Sequence, residues 1–255
     1  MRKMTIEQIL MWTYNDELPK VDAGMSGPSA APSSWNAVGE MITLGTIVDR
    51  QPNRYGVVSS FISEGDPHPD ALRVYACVNR LQDHDGFEIA DGWAPFPEWT
   101  DEHGLISAEV ARIVGEELGK GGRLNGRHVV NLVRNAAIIG RGPNWDVKAP
   151  RIAPLSKSNK PAWFVTRSAK DGTGRTYTYE DDGFDDRKKR PKKGAYQKFR
   201  IVDPIRGAVI ARLEWQLWQS ALETLHEALS HRLVEIDLQP FFPDRFPWVP
   251  KRFSA

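Results

Sequence analysis

The chain has 255 residues, 40% hydrophobic and 26% charged, with a formal net charge of +1 and one cysteine. That length is ample for one large or two small cores, and no apolar run approaches the roughly 18 residues a membrane span needs. Cys77 stands alone, which excludes an intrachain disulfide and leaves a thiolate zinc site without partners. The charged opening Met1-Arg2-Lys3 is followed by no apolar segment, so no secretory signal is expected and the cytoplasm is the expected compartment.

Thr5 predicts an N-cap, with Ile6, Ile9, Leu10 and Tyr14 at helical spacing until Pro19. Residues 22–34 are small and interrupted by Pro and Gly, and read as a flexible linker between an N-terminal helix (1–21) and an acidic region (35–100). Within that region, Met41–Val48 and Tyr55–Ile62 fit two strands or a broken helix. The turn Asp66-Pro67-His68-Pro69 opens a helix to Leu81, with Leu72, Val74, Tyr75, Val78 and Leu81 as core candidates. A loop over 83–100 carries Trp93, Phe96 and Trp99.

Residues 101–180 read as a basic helix-turn-helix-like region. Ser107 is the expected cap of a helix over 107–118 that stops at Gly119, with Val110, Ala111, Ile113, Val114 and Leu118 on one stripe. A glycine-bearing turn leads to Asn125, the expected cap of a second helix ending at Ile139 and Gly140. Strands over 162–168 and 175–180 flank Lys170-Asp171-Gly172-Thr173-Gly174, strong hairpin punctuation. Residues 181–202 form a charged mobile loop in this reading. Asp203-Pro204 then starts a long helix through about residue 235, followed by a proline-punctuated aromatic tail. The expected fold class is α+β, mostly α, with a centre that is helix-turn-helix-like, even winged.

The neutral total conceals a strong partition of charge. Residues 1–118 carry 8 Lys/Arg against 19 Asp/Glu, whereas residues 119–170 carry 11 against the single acid Asp146. Such segregation points to a polyanion, although packing of acidic against basic parts would also account for it. On a helical wheel, Val129, Val130, Leu132, Val133, Ala136 and Ala137 take one side of the second helix. Arg127, His128, Asn131, Arg134 and Asn135 take the other, and Arg and Asn are the side chains suited to bidentate contacts with guanine and adenine edges. The expected partner is therefore double-stranded DNA. Lys120, Arg123, Arg141, Lys148 and Arg151 are the expected phosphate contacts, and Arg167, Lys170 and Arg175 lie on the hairpin where a wing would be. An ordinary solvated helix face is the competing reading.

No catalytic residue, metal-ligand set or cofactor is expected. Asp66, His68 and Asp70 suit a turn as well as a metal, and Gly119 to Gly126 lacks the Gly-Lys-Ser/Thr ending of a phosphate loop. Glu223 and His226 have no second helix to complete a bundle site, and Cys77 lies on an apolar face. The leucine series of the long helix fits a homodimer seam or an intramolecular core.

Arg212-Leu-Glu-Trp215-Gln-Leu-Trp218-Gln-Ser-Ala221-Leu-Glu-Thr-Leu225, with Pro243-Asp-Arg-Phe-Pro-Trp248, resembles the ending of uncharacterised proteins encoded in bacterial phages and prophages. The resemblance covers about 50 residues of sequence pattern and implies a setting among replication and regulation genes. The expected function is DNA binding in transcriptional or replication control. The rival is a non-enzymatic protein–protein adaptor or inhibitor of a host complex, acting through the acidic N-terminal surface, by DNA mimicry, or through the aromatic tail.

Overall fold

Thr5 accepts a hydrogen bond from the Gln8 amide, while the Gln8 side chain accepts one from the Thr5 amide. This reciprocal box starts the first helix as its sequence predicts. The computed structural model describes residues 2–20, 66–83, 88–90, 92–122, 124–157 and 160–249. The linker at 22–34, the ambiguous stretch at 35–62 and Arg123 lie outside the described residues. Mixed α and β structure results, with five α-helices among those residues: α1 (Ile6–Trp12), α2 (Pro69–Arg80), α3 (Leu105–Lys120), α4 (Gly126–Ile139) and α5 (Arg206–Leu229). No helix among them is long and apolar enough to cross a membrane.

Packing divides the chain into two compact units, each drawn from three separate stretches. The first comprises Met1–Asp85, Gly126–Gly142 and Trp218–Pro243; the second comprises Gly86–Asn125, Pro143–Leu217 and Asp244–Ala255. Helices α3 and α4, expected as the pair of a helix-turn-helix, belong to different units.

In the first unit α1 runs into a π-helical turn, Thr13–Glu17, and packs with α2 and α4, both of which meet the 3-10 turn Leu81–Asp83. Ile6, Ile9, Tyr14, Val74, Val78, Val129, Val133, Leu222 and Leu225 form its core, each aliphatic side chain contributing roughly 1.5–3 kcal/mol on burial. Gly126 opens α4 where a Cβ would run into the backbone of Leu81 and Gln82, so the close approach of helix and turn depends on its missing side chain. At the other end Asn15 donates to the carbonyls of Ala137 and Ile138, and Gly140 turns the chain at φ 72°.

Strand β1 (Arg2–Met4) pairs in parallel with β11 (Ile236–Leu238), Arg2 opposite Ile236. Beside that pairing, the fully buried carboxylate of Asp70 accepts from the amides of Val234 (3.1 Å) and Glu235 (2.9 Å) and from Arg73 (2.6 Å). Burial pushes the Asp70 pKa upward, but the two amides and Arg73 outweigh it and hold the group below its ordinary value. Leu72, a core candidate by sequence, is 44% exposed because the apolar stripe of α2 runs through Ala71, Val74, Cys77 and Val78 instead.

The second unit is built on Phe96, Ile106, Val110, Ile113, Ile205 and Val209, with Trp93, Trp99, Val147 and Ile152 packed around them. Helix α3 begins two residues before the expected Ser107 cap. Asp101 accepts from the amides of Ile106 and Ser107 and from the Ser107 hydroxyl, so a loop carboxylate supplies the cap. The helix also outlasts Gly119 and ends at Gly121, which takes φ 62°. Leu118 and Ala111, placed on the apolar stripe by sequence, are exposed.

Eleven short strands occur among the described residues. In the second unit β2 (Ile152–Pro154) pairs with β10 (Phe199–Ile201), and β3 (Ser156–Lys157) with β4 (Lys160–Pro161). The main hairpin joins β5 (Trp163–Lys170) to β6 (Thr176–Asp182), and β9 (Tyr196–Gln197) pairs with the other edge of β5. Residues 181–202, expected as a mobile loop, also hold the hairpin of β7 (Phe184–Asp185) with β8 (Arg190–Pro191). Asp185 accepts from the amides of Arg187 and Lys188 and so fixes that turn.

Helix α5 covers 24 residues, starting later and ending earlier than its sequence suggests. Asp203 does not cap it; its carboxylate binds Arg151 instead. Leu213, Leu217, Leu222, Leu225 and Leu229 are all buried within the chain.

Candidate nucleic-acid interface

The front of α4 survives in part as an open polar face. Arg127, Asn131 and Asn135 are exposed and make no side-chain hydrogen bond among the described residues, while His128 is half-buried. Arg134 differs. Its guanidinium donates to Asn79 and lies 5.8 Å from the centre of the Tyr75 ring, both on α2. It also faces Tyr14, whose hydroxyl burial pushes up to about 12 against the lowering effect of Arg134. Arg134, which the helical wheel sets at one edge of the reading face, therefore ties α4 to α2. Asn79 and Tyr75, the two groups it meets, are half-buried on α2.

The expected phosphate contacts divide similarly. Lys120, Arg141 and Lys148 are exposed, Lys120 with a loose 3.9 Å pairing to Glu117. Arg151 forms a two-pronged ion pair with Asp203 at 2.9 Å on each arm. Those bonds, with the Arg151 amide, hold the Asp203 pKa at about 2. Arg151 is thus neutralised locally.

The β-rich part of the second unit carries most of the open positive charge, for a reason visible in its acids. Glu180 takes Lys198 at 2.5 Å and the Tyr196 hydroxyl; Asp181 takes Arg167 at 2.9 Å; Asp182 takes Lys157 at 3.0 Å. These pairs neutralise the base of the main hairpin. At its tip Asp171 is spent on the turn, accepting from the amides of Thr173 and Arg175 and from the Thr173 hydroxyl. Lys170 and Arg175, which flank that turn, make no ion pair among the described residues, nor do Lys160, Arg187, Lys189 and Lys193. Lys189 holds φ 50° in the exposed turn between β7 and β8. The outcome is two hairpin ends where cations outnumber acids: Asp171 and Asp185 are hydrogen-bonded within their turns, and Asp186 forms no ion pair among the described residues.

Tyr177 and Tyr179 lie on the same face of β6, 52% and 41% exposed, with ring centres 6.0 Å apart. Arg167 stands across the ladder from Tyr179.

One open cavity of about 400 Å³ belongs to the first unit, lined by Arg2, Trp12, His68, Val234, Glu235 and Ile236. His68 lies 3.3 Å from the Glu235 carboxylate through Nε2, while its Nδ1 accepts from the Asp70 amide. Glu17 nearby accepts from the His68 amide and from Lys20, both at 2.8 Å. These polar groups are occupied in holding backbone. Among the described residues no cluster of three His, Cys, Asp or Glu is placed to hold a metal. Cys77 is buried, with Arg232 3.6 Å from its sulfur.

No family model, curated protein or solved structure matches this chain.

Proposed function

We propose that this chain is a DNA-binding protein of the regulatory or accessory kind, phage- or prophage-derived, which engages duplex phosphates through the hairpin ends of its second unit. The observation that carries the reading is the pairing pattern: Glu180, Asp181 and Asp182 are consumed at the base of the main hairpin, whereas Lys170 and Arg175 at its tip, and Arg187 and Lys189 in the β7–β8 turn, have no ion-pair partner among the described residues. Lone exposed cations are common. Cations in excess of acids at each turn, Lys170 and Arg175 against Asp171, and Arg187, Lys188, Lys189 and Arg190 against Asp185 and Asp186, make a local field that attracts a polyanion. Arg127, Asn131 and Asn135 are the side chains on α4 with open hydrogen-bonding groups suited to base edges.

Binding of the purified chain to random-sequence duplex across a salt series tests this reading. Affinity should fall steeply with salt, and Lys170→Ala, Arg175→Ala, Arg187→Ala and Lys189→Ala together should reduce the log–log slope by about 0.9 for each phosphate no longer neutralised. Absence of binding at low salt, or an unchanged slope in the fourfold variant, would overturn it.

A protein–protein role is the second reading, supported by Phe242, which stands 85% exposed. Capture of a partner that is lost in Phe242→Ala, with no affinity for duplex, would favour it.

A further inference from the structure

The main hairpin carries two aromatic rings that its own folding does not require. Along β6 the sequence alternates Thr176, Tyr177, Thr178, Tyr179, and cross-strand partners share a face. One face therefore holds Arg167, Ala169, Tyr177 and Tyr179; the other holds Thr166, Ser168, Lys170, Thr176, Thr178 and Glu180. The second face shows that this ribbon maintains pairing with small β-formers in water. Placing two tyrosines half in solvent on the first face gains no comparable burial: they are 52% and 41% exposed.

We infer that Tyr177 and Tyr179 form a stacking platform for the bases of single-stranded DNA, with Arg175 at the same hairpin end holding its phosphates. The inference rests on the DNA-binding reading above and specifies which form of DNA this face takes. Three observations combine. Two exposed rings stand side by side on a rigid strand, and aromatic faces stack on any base. Arg167, fixed by Asp181 at 2.9 Å, stands across the ladder from Tyr179 and offers a planar cation beside the ring. The unpaired cation Arg175 lies at the same hairpin end, two residues before Tyr177, while Lys170, opposite Thr176, falls on the other face of that end. The spacing also discriminates: 6.0 Å between ring centres is nearly twice the roughly 3.4 Å rise of stacked bases along a strand. Each ring accepts one base only where neighbouring bases are drawn apart, as in an unpaired strand. In a duplex the bases are covered on both sides by their neighbours.

The test measures fluorescence anisotropy of labelled oligothymidine, oligouridine and a duplex of equal length with the full chain and two double variants. Tyr177→Thr with Tyr179→Thr keeps strand-forming residues and removes both rings; Tyr177→Phe with Tyr179→Phe keeps the rings. Oligothymidine affinity should fall about 10-fold or more in the threonine variant and stay within about twofold in the phenylalanine variant, with duplex affinity unchanged in both. An unchanged oligothymidine affinity in the threonine variant, an equal loss on duplex, or tighter binding of oligouridine than oligothymidine would overturn the inference. Duplex binding that fails in the unmodified chain counts against the broader reading, whereas failure on oligothymidine alone removes only this platform. Circular dichroism of the threonine variant checks that the ribbon is intact. Should it unfold, Arg175→Ala decides the matter, since unchanged oligothymidine affinity there also overturns the inference.

Discussion

The guanidinium carbon of Arg212 lies 4.5 Å from the centre of the Trp248 ring. Arg212 is only 2% exposed on α5, 4.8 Å from the centre of Phe96, and donates to the Pro95 carbonyl and the Glu98 carboxylate. The tail residues before Trp248 are fixed to the same helix, since Trp215 donates to the Asp244 carbonyl and Gln216 to that of Arg245. The proline-punctuated aromatic tail thus forms the outer wall of a buried cation site.

Arg212→Ala should therefore destabilise the second unit by about 3 kcal/mol, combining removal of a buried ion pair with removal of the cation–π interaction. Arg212→Lys keeps the charge without the planar fork and should recover only part of that. Urea unfolding followed by tryptophan fluorescence measures both. A loss below about 1 kcal/mol in the alanine variant would mean the site is far wetter than its packing implies.

Asp70 links pH to stability with a definite sign. Its folded pKa is held below the ordinary carboxylate value, so its contribution is complete above about pH 4 and is lost as pH falls through the folded value. Asp70→Asn should lose about 1–3 kcal/mol at neutral pH by placing an amide donor against two backbone amides. The gap between parent and variant should narrow on acidification below about pH 4. Thermal melts of both proteins at several pH values test the prediction, and a gap that widens in acid contradicts it.

Two glycine-to-alanine substitutions in helices should have opposite signs. At Gly126 the new methyl meets the Leu81 and Gln82 backbone, and displacement should cost about 1–3 kcal/mol. At Gly115, inside α3, nothing lies within 4 Å of the added atom, so alanine should stabilise by about 0.5–1 kcal/mol. Denaturant midpoints compared at equal m-value decide both.

Arg134 and Arg127 separate architecture from recognition on α4. Arg134→Ala should destabilise the fold by about 1–2 kcal/mol, by removing its bond to Asn79 and its approach to Tyr75, and so lower Tm while leaving duplex affinity unchanged. Arg127→Ala should leave Tm within error and weaken a specific site by about 1–3 kcal/mol. Paired melting and binding curves distinguish the two, and the reverse assignment would restore Arg134 to the reading face.

Local signals are legible where chemistry is local. The Thr5 capping box, Pro69 at the start of α2, the Gly140 stop of α4 and the Asp171-to-Gly174 turn of the main hairpin all follow from neighbouring residues. Pairing of β1 with β11 does not, because three-residue strands carry no usable periodicity and their partners stand near opposite ends of the chain. The cap on α3 escapes a local reading because Asp101 reaches Ser107 across six positions, beyond the usual capping spacing. Arg134 illustrates the limit at the candidate site: a helical wheel sorts polar from apolar residues but does not show which polar ones meet a polar partner such as Asn79. The tyrosine pair is likewise hidden, since Thr-Tyr-Thr-Tyr reads as an ordinary strand until both of its faces are seen in water.

Both units draw on early and late stretches of chain, and this sets a timetable for a protein made from its N-terminus. Met4 waits for Leu238, its partner in the parallel ladder, and Phe96 waits for Arg212 and Trp248. At about 5–20 residues per second, synthesis spends at least ten seconds or so before either set of partners is complete. During that interval the apolar faces of α1, α2 and α3 are without their final covering. The nascent chain is therefore a natural client for holding factors, and a ribosome stalled before the last strand releases a chain in which neither unit can close.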